Sequence, residues 1–411
     1  MNEKMEADKE YAEKLNELAN AQPQMEYAKN DKQRAQILYT TYCDLEKIET
    51  VHDKARKYFK GMEDGEEEPL KLWSMFRNMS IKEYKKIYER LGVSFDVYAG
   101  ESEVSEGMKV EFKKMVEKGL LTDDRGAKLI DLKKYKLGKV IVQKSDGATL
   151  YITRDIATAV SRYNEYNFDR MFYVVAAPQD LHFKQLFKTL ELMGYDWAKR
   201  CKHVNFGMVL GMSTRNGNVV FLSDIIEMTK KAMMERMSDD KMGKLKEVEN
   251  QDETSDNIAL SAIFVQDFSA KRIKDYKFDK KRMTDYLGHT GPFLQYTNAR
   301  LSSMKDKNNV EATDDIDYTI LKEPVAFNLA KKIAEYPDVL LLCSSDKNLE
   351  PSTLVTYLFD LAHCISLAHQ HLYVKGTEEP VAKARTLLYW SALTTLQNAM
   401  KILGMSPVNR M

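Results

Sequence analysis

Cysteine is scarce in this chain. Four occur among 411 residues, at Cys43, Cys201, Cys343 and Cys364, and no two form a Cys-x-x-Cys pair. That scatter argues against a zinc site of paired cysteines and against a disulfide-stapled scaffold. Long apolar runs are missing too. None approaches about 18 residues, so no membrane span is expected. The opening Met1-Asn2-Glu3-Lys4-Met5-Glu6 carries no apolar stretch of secretory kind and is too acidic for a mitochondrial transit peptide. A reducing, cytoplasmic setting is the expectation. Neither charge sign is in excess, since Lys+Arg and Asp+Glu both count 62. A nucleic-acid binder of this composition must therefore cluster its basic residues. His363, His369 and His371 lack the i,i+4 spacing that sets two ligands on one helix face, and no metal site is expected.

What is present supports two or three soluble domains: a hydrophobic share of 44% and a charged share of 30% over this length. Met171 to Ala177 is a continuous apolar run, as in a buried parallel strand. Leu181, Phe183, Leu186, Phe187, Leu190 and Met193 then recur at helical spacing, closed by Gly194, with Asp180 as the natural N-cap. His203 to Leu210 reads as a second strand, so residues 171–210 form a βαβ unit. Ligands in such sheets sit beyond the carboxyl ends of the strands, beside helix N-termini. That gathers Gln179, Asp180, His182 and the loop Gly211 to Val219 around one crevice. Upstream, Lys139–Gln143 and Thr149–Thr153 flank a Lys-Ser-Asp-Gly turn and read as a hairpin. Its second strand delivers Tyr151 and Asp155 to a helix start. A phenol and a carboxylate there suit a small cationic ligand; equally, Asp155 caps the helix and Tyr151 packs.

Along the rest of the chain, residues 1–57 read as charged helix broken near Pro23. Gly61 to Pro69 is an acidic turn, read as a solvated loop. Leu70 to Arg90 is an amphipathic helix whose expected buried side carries Leu72, Trp73, Phe76, Ile81, Tyr84, Ile87 and Tyr88. Phe95–Tyr98 reads as a short strand, and a helix near 104–118 is followed by strands. The basic segment Lys271 to Arg282 has seven basic and two acidic residues with aromatics between them. It suits phosphate contacts, with an ordinary solvated surface as the alternative. Leu354, Tyr357, Leu358, Leu361, Cys364, Ile365 and Ala368 mark one bundle helix. Leu387, Leu388, Ala392, Leu393, Leu396, Ala399 and Leu403 mark another, with Gly404 at its end.

Five motifs fall in one order: Lys-Ser-Asp-Gly-x-Thr-Leu-Tyr-x-Thr-Arg-Asp, Gln-Asp-Leu-His-Phe, Val-Asn-Phe-Gly-Met-Val, Met-Ser-Thr-Arg-x-Gly, and Gly-Pro-Phe-Leu-Gln-Tyr. With the ending Pro407-Val408-Asn409-Arg410-Met411, the chain resembles arginyl-tRNA synthetases, particularly the fungal type, from about residue 50 onward. The resemblance implies an α/β plus all-α fold: a partial class I nucleotide-binding, Rossmann-like parallel sheet with insertions, then a helical-bundle anticodon-binding domain. The implied segments are 1–69 in the first insertion, 70–97 in the catalytic fold, 98–148 as second insertion, 149–214 as second half of the catalytic domain, 215–285 as stem-contacting linker and 286–411 as anticodon domain.

The implied activity is arginine–tRNA ligation, with ATP and its Mg2+ as substrate, L-arginine and tRNA(Arg) as partners, no DNA or membrane partner, and a monomeric state. Tyr151, Asp155 and Gln179 would hold arginine. His182, Met208, Val209, Met212, Ser213 and Thr214 would contact ATP, with His182 equally suited to capping or packing. Met208 and Val209 would offer backbone groups to adenine. Arg215 would serve catalysis in a loop that has no lysine. Lys271, Arg272, Tyr296, Arg300 and Met411 would contact tRNA, although Tyr296 also suits plain helix packing. One signature departs from the family. No His-x-Gly-His occurs, and Gly288-His289-Thr290-Gly291 lacks the second histidine. The expectation is an N-terminally incomplete synthetase, inactive alone. The rival is a non-catalytic tRNA-binding or scaffold protein of synthetase descent.

Overall fold

The computed structural model describes residues 51–100, 105–145, 147, 150–210, 221–238, 248–277, 279, 283–285, 288–308, 310, 316–345 and 349–411. The expected helix before residue 51 and the loop at 211–220 lie outside these. The chain divides into two compact units, Met1–Tyr88 and Glu89–Met411.

In the first unit, α1 (Val51–Asp64) ends at Gly65, whose φ of 87° only glycine adopts readily. Helix α2 (Glu67–Arg90) begins with Glu67 and Glu68 in its first turn, where carboxylates suit the helix dipole. The acidic turn is thus mostly helix. The expected buried side is not buried: Leu72, Trp73, Phe76 and Tyr84 are all exposed. Among the described residues that face has little cover, so periodicity alone misled. Phe95–Tyr98 is not a strand. Among the described residues no strand pairs with it there, and Phe95, which lies in the second unit, packs edge-on against Tyr98 at 5.8 Å.

The second unit continues with α3 (Ser105–Glu117) and an antiparallel sheet of β1 (Thr122–Asp124), β2 (Ala127–Asp131) and β3 (Lys139–Gln143), in the order β1-β2-β3. Arg125 and Gly126 join β1 to β2 with φ of 51° and 83°. Two positive φ values match the twist of a two-residue hairpin.

The expected hairpin of Lys139–Gln143 with Thr149–Thr153 does not form. Residues Tyr151–Tyr166 are helix α4, and β3 pairs with β2 instead. The β-prone Tyr-Ile-Thr is overridden by packing. Ile152, Ile156, Ala159 and Val160 follow a helical period, and all four are buried. They share one core with Met115 of α3, Ile130, Val140 and Val142 of the sheet, and Leu186 and Leu190 further on.

The βαβ unit is as the pattern implies. Strand β4 (Met171–Ala176) leads through a 3-10 turn into α5 (Asp180–Leu192), and β5 (Cys201–Phe206) lies parallel to β4. Two details differ. Phe172 and Val174 are exposed, so β4 is not covered on both faces by the described residues. The second strand also stops at Phe206 rather than Leu210. A Cβ on Gly207 would lie 2.2 Å from the Lys274 carbonyl oxygen, because segment 271–277 crosses there. The chain resumes as β6 (Val209–Leu210), paired with β7 (Tyr276–Lys277) of that segment.

Helices complete the unit: α6 (Leu222–Ser238), α7 (Gln251–Phe268), α8 (Gly291–Lys307), α9 (Pro324–Ala334), α10 (Tyr336–Ser344), α11 (Pro351–His371) and α12 (Glu379–Ile402). The two expected bundle helices are α11 and α12. Leu354, Leu358, Leu361, Ile365, Leu388, Ala392 and Leu396 are buried in one cluster with Leu294, Leu301 and Leu329.

Candidate active site

Helix α4 places Tyr151 and Asp155 one turn apart, so both lie on one face. Buried Thr153 fixes that turn by donating its hydroxyl to the Val142 carbonyl at 2.6 Å. Tyr151 is exposed, with the Arg154 guanidinium 5.8 Å from its ring. Asp155 does not cap the helix, since Leu150 holds that place without a side-chain bond. Its carboxylate is instead met by His182 of α5, Nε2 to Oδ2 at 2.6 Å. The His182 ring also stands edge-on to Phe183. Beneath, burial pushes the Tyr173 phenol up to about 12, so a neutral wall backs the carboxylate.

Asp180 is not the N-cap either. The 3-10 turn Ala177–Gln179 runs straight into α5, and Gln179 takes the cap position with φ −89° and ψ 3°. Freed from capping, the Asp180 carboxylate accepts from Asn205 Nδ2 at 2.8 Å and lies 2.9 Å from His203 Nδ1. The other nitrogen of His203 lies 2.9 Å from the Val175 carbonyl oxygen, and the ring stacks on Phe183 at 4.5 Å. Gln179 is exposed just beyond the carboxyl end of β4, three residues before His182. The arrangement offers a carboxylate oriented by an imidazole, with Oδ1 taking no hydrogen bond among the described residues. Such a group receives a planar cation well.

Other expected site residues fare differently. Met208 does not hold free backbone groups for a base. Its N–H donates to Asp275 Oδ1 at 2.7 Å, and its carbonyl accepts from the Tyr276 N–H at 3.1 Å. Val209 is engaged in β6. Met212, Ser213, Thr214 and Arg215 lie outside the described residues. Lys271 is exposed. Arg272 is not: its guanidinium donates to Asn205 Oδ1 at 2.9 Å and to the Leu349 carbonyl at 3.1 Å.

Tyr296, Arg300 and Met411 come together. They line one cavity of about 420 Å³ with Lys307, His369 and Arg410. Tyr296 is half exposed there, which excludes the plain packing role. Arg300 donates to His369 Nδ1 at 2.8 Å. Desolvation first, and then the Arg300 charge, hold His369 below its ordinary value.

Two residues given no role by the sequence reading hold the chain just ahead of Met411. Gln295, fully buried, donates to Ser261 Oγ and to the Ser406 carbonyl, each at 2.8 Å, and accepts from the Val408 N–H at 2.9 Å. Asn298, also fully buried, donates to the Val408 carbonyl at 2.8 Å. The signal was available. Gln295, Asn298 and Ser302 recur at helical spacing beside Leu294 and Leu301, a polar stripe that needs buried partners.

Residues 15–280 match the family model described as tRNA synthetases class I (R), catalytic domain. The chain belongs to the class I arginyl-tRNA synthetase family. Residues 294–411 match the DALR anticodon binding domain. Among relatives of this synthetase-family chain, "Probable arginine–tRNA ligase, cytoplasmic" of Dictyostelium discoideum is 53% identical over 368 residues, covering 89% of the chain and 62% of that protein. "Arginine–tRNA ligase, cytoplasmic" of Saccharomyces cerevisiae is 48% identical, covering 88% and 60%. The chain thus spans 60–62% of the length of these two relatives. The crystal structure of arginyl-tRNA synthetase from Plasmodium falciparum superimposes with a TM-score of 0.74 at 24% identity, covering 91% of this chain and 63% of that one. At that identity the likeness speaks for the fold. The expected class I catalytic fold followed by a helical anticodon domain is therefore what the chain has.

Proposed function

We propose that this chain carries the arginine-holding and tRNA-holding parts of an arginine–tRNA ligase. That enzyme joins the arginine carboxylate to AMP from ATP, releases pyrophosphate, and passes arginine to the 3′ end of tRNA(Arg). The observation that carries the reading is the Asp155–His182 pair at 2.6 Å beside Tyr151, at the carboxyl end of a parallel strand. Asp155 pairs with the substrate guanidinium, whose planar fork suits a carboxylate. Tyr151 stacks on it, and Gln179 offers a neutral partner at the rim. His182 orients the carboxylate. Magnesium arrives with the ATP phosphates, as Mg2+ commonly does, rather than in a cage of protein ligands. Met212, Ser213, Thr214 and Arg215 serve the nucleotide.

In the helical domain, the cavity at Tyr296, Arg300 and Met411 accepts an unstacked base, read by stacking and edge contacts. Exposed Lys271 meets phosphate. Both relatives are named as cytoplasmic ligases, which favours the cytoplasm as the place of action, and a monomer suffices for the sites described. The scaffold alternative gains no support, because a binding module has no use for an oriented carboxylate facing a tyrosine.

The test is Asp155→Ala in the protein carrying this chain, assayed by arginine-dependent ATP–pyrophosphate exchange. The arginine requirement should rise at least about tenfold, equivalent to about 1.4 kcal/mol, with the ATP requirement nearly unchanged. Equal arginine Michaelis constants would overturn the assignment.

A further inference from the structure

Arg272 stands in the most basic segment of the chain, where a phosphate contact is the natural first reading. Its surroundings say otherwise. Four of its groups are already engaged within the chain. The backbone N–H donates to Glu350 Oε1 at 3.0 Å, and the carbonyl accepts from the Gly207 N–H at 2.8 Å. Nε donates to the Leu349 carbonyl and Nη1 to Asn205 Oδ1. Glu350 is itself steadied by the Ser352 hydroxyl at 3.0 Å. A guanidinium held at two of its three nitrogens keeps little freedom to follow a phosphate.

The partner Asn205 is the informative one. Its oxygen takes Arg272, and its nitrogen goes to Asp180 at 2.8 Å. Asp180 in turn meets His203, whose ring stacks on Phe183. Asp180 opens α5, and two residues later His182 meets Asp155. An amide bonded on both sides cannot rotate without breaking both bonds. Arg272 therefore sets which way Asn205 faces, and Asn205 sets Asp180.

We propose that Arg272 is a positioning residue for the arginine site: through Asn205 and Asp180 it fixes the first turn of α5, and thereby His182, relative to Asp155. It is not an RNA phosphate contact, and neighbouring Lys271 is. This rests on the reading of Asp155 as the arginine carboxylate, and its test is chosen to separate the two.

Three readouts on this chain decide it: the imidazole NMR signals of His203 and His182, calorimetric binding of L-arginine, and the salt dependence of tRNA(Arg) transcript binding. Arg272→Lys keeps the charge but loses the fork. It should move the His203 and His182 signals, weaken arginine about tenfold, and leave the slope of log affinity against log salt unchanged. Lys271→Ala should lower that slope by about one and leave the histidine signals in place. Asn205→Ala cuts the same connection from the other side, so its effect should not add to that of Arg272→Lys. Because both are milder than Arg272→Ala, the test does not depend on a variant that fails to fold. Unmoved histidine signals in Arg272→Lys, or a salt slope lowered by about one, would overturn the proposal. If the unaltered chain bound no arginine, the arginine reading would fall, while the histidine signals and the salt slope would still decide what Arg272 does.

Discussion

Replacing Gln295 by leucine keeps the bulk of a fully buried side chain and removes its amide. Two tail groups then lose their partners: the Ser406 carbonyl and the Val408 N–H. A buried polar group left unpaired costs about 1–3 kcal/mol, so holding the tail in place would cost roughly 2–6 kcal/mol. The chain has an alternative. It can release residues 406–411 and let water satisfy both groups. Release uncovers Val408, now 6% exposed and packed with Met233, Met237 and Ile258. Exposing such a side chain costs about 1.5–3 kcal/mol. The two costs are of similar size, so the tail should open much more often. A shift of about 2 kcal/mol is roughly thirty-fold in the opening equilibrium. Hydrogen exchange at the Val408 amide should accelerate by about that factor. Amides in the middle of α11 should exchange as before, because the hydrogen bonds of Gln295 go to Ser261, Ser406 and Val408 and none to that helix. Affinity for tRNA(Arg) should fall in parallel, since Met411 leaves the cavity. A Val408 amide as protected in Gln295→Leu as in the unaltered chain would refute the reasoning.

Gly207→Ala should lower stability by about 3 kcal/mol, since the new Cβ meets backbone at Lys274, which cannot swing aside; an unchanged urea midpoint would contradict this. Burial pushes the Cys201 thiol up to about 11, so its reaction with a disulfide reagent should inflect near there rather than near the usual value. Its folded value lies above the unfolded one. The stability it contributes is complete below pH 9.0 and is lost as pH rises towards about 11, and Cys201→Ala should flatten that loss in alkaline urea titrations. His369 is held below its ordinary 6.5, so its contribution to stability is present above that pH and is lost as pH falls through the folded value. Protonated His369 can no longer accept from Arg300. The change in tRNA affinity below pH 6.5 should therefore be smaller in His369→Asn, measured at fixed salt.

The sequence made the βαβ unit and the bundle helices plain because burial there follows a single period. Leu354 to Ala368 sit on one stripe, and that stripe is the core. It misled where two influences compete. Tyr151-Ile152-Thr153 has strand propensity, yet Ile152 belongs to a helical series that runs on to Val160. Recognising Tyr151 and Asp155 needed only the motif. Knowing that they share a helix face, with His182 across from them, needed the fold. Asp180 looked like a cap because local spacing cannot show Asn205 and His203 arriving from the next strand. Arg272 looked like surface because a charge run does not reveal that Leu349 and Glu350, far along the chain, come to meet it.

The antiparallel sheet β1–β3 falls in the segment 98–148, which the resemblance implies to be a second insertion. Its inner face is the far wall of the core beneath α4. Ile130, Val140 and Val142 touch the same cluster as Ile152 and Ile156, and Thr153 is bonded straight to β3. The sheet cannot melt and leave α4 intact, because the apolar face of that helix packed on it would meet water. Slow amide exchange along β3 should then be a remote gauge of the site: whatever steadies Asp155 on one side of α4 slows the opening of Val140 and Val142 on the other.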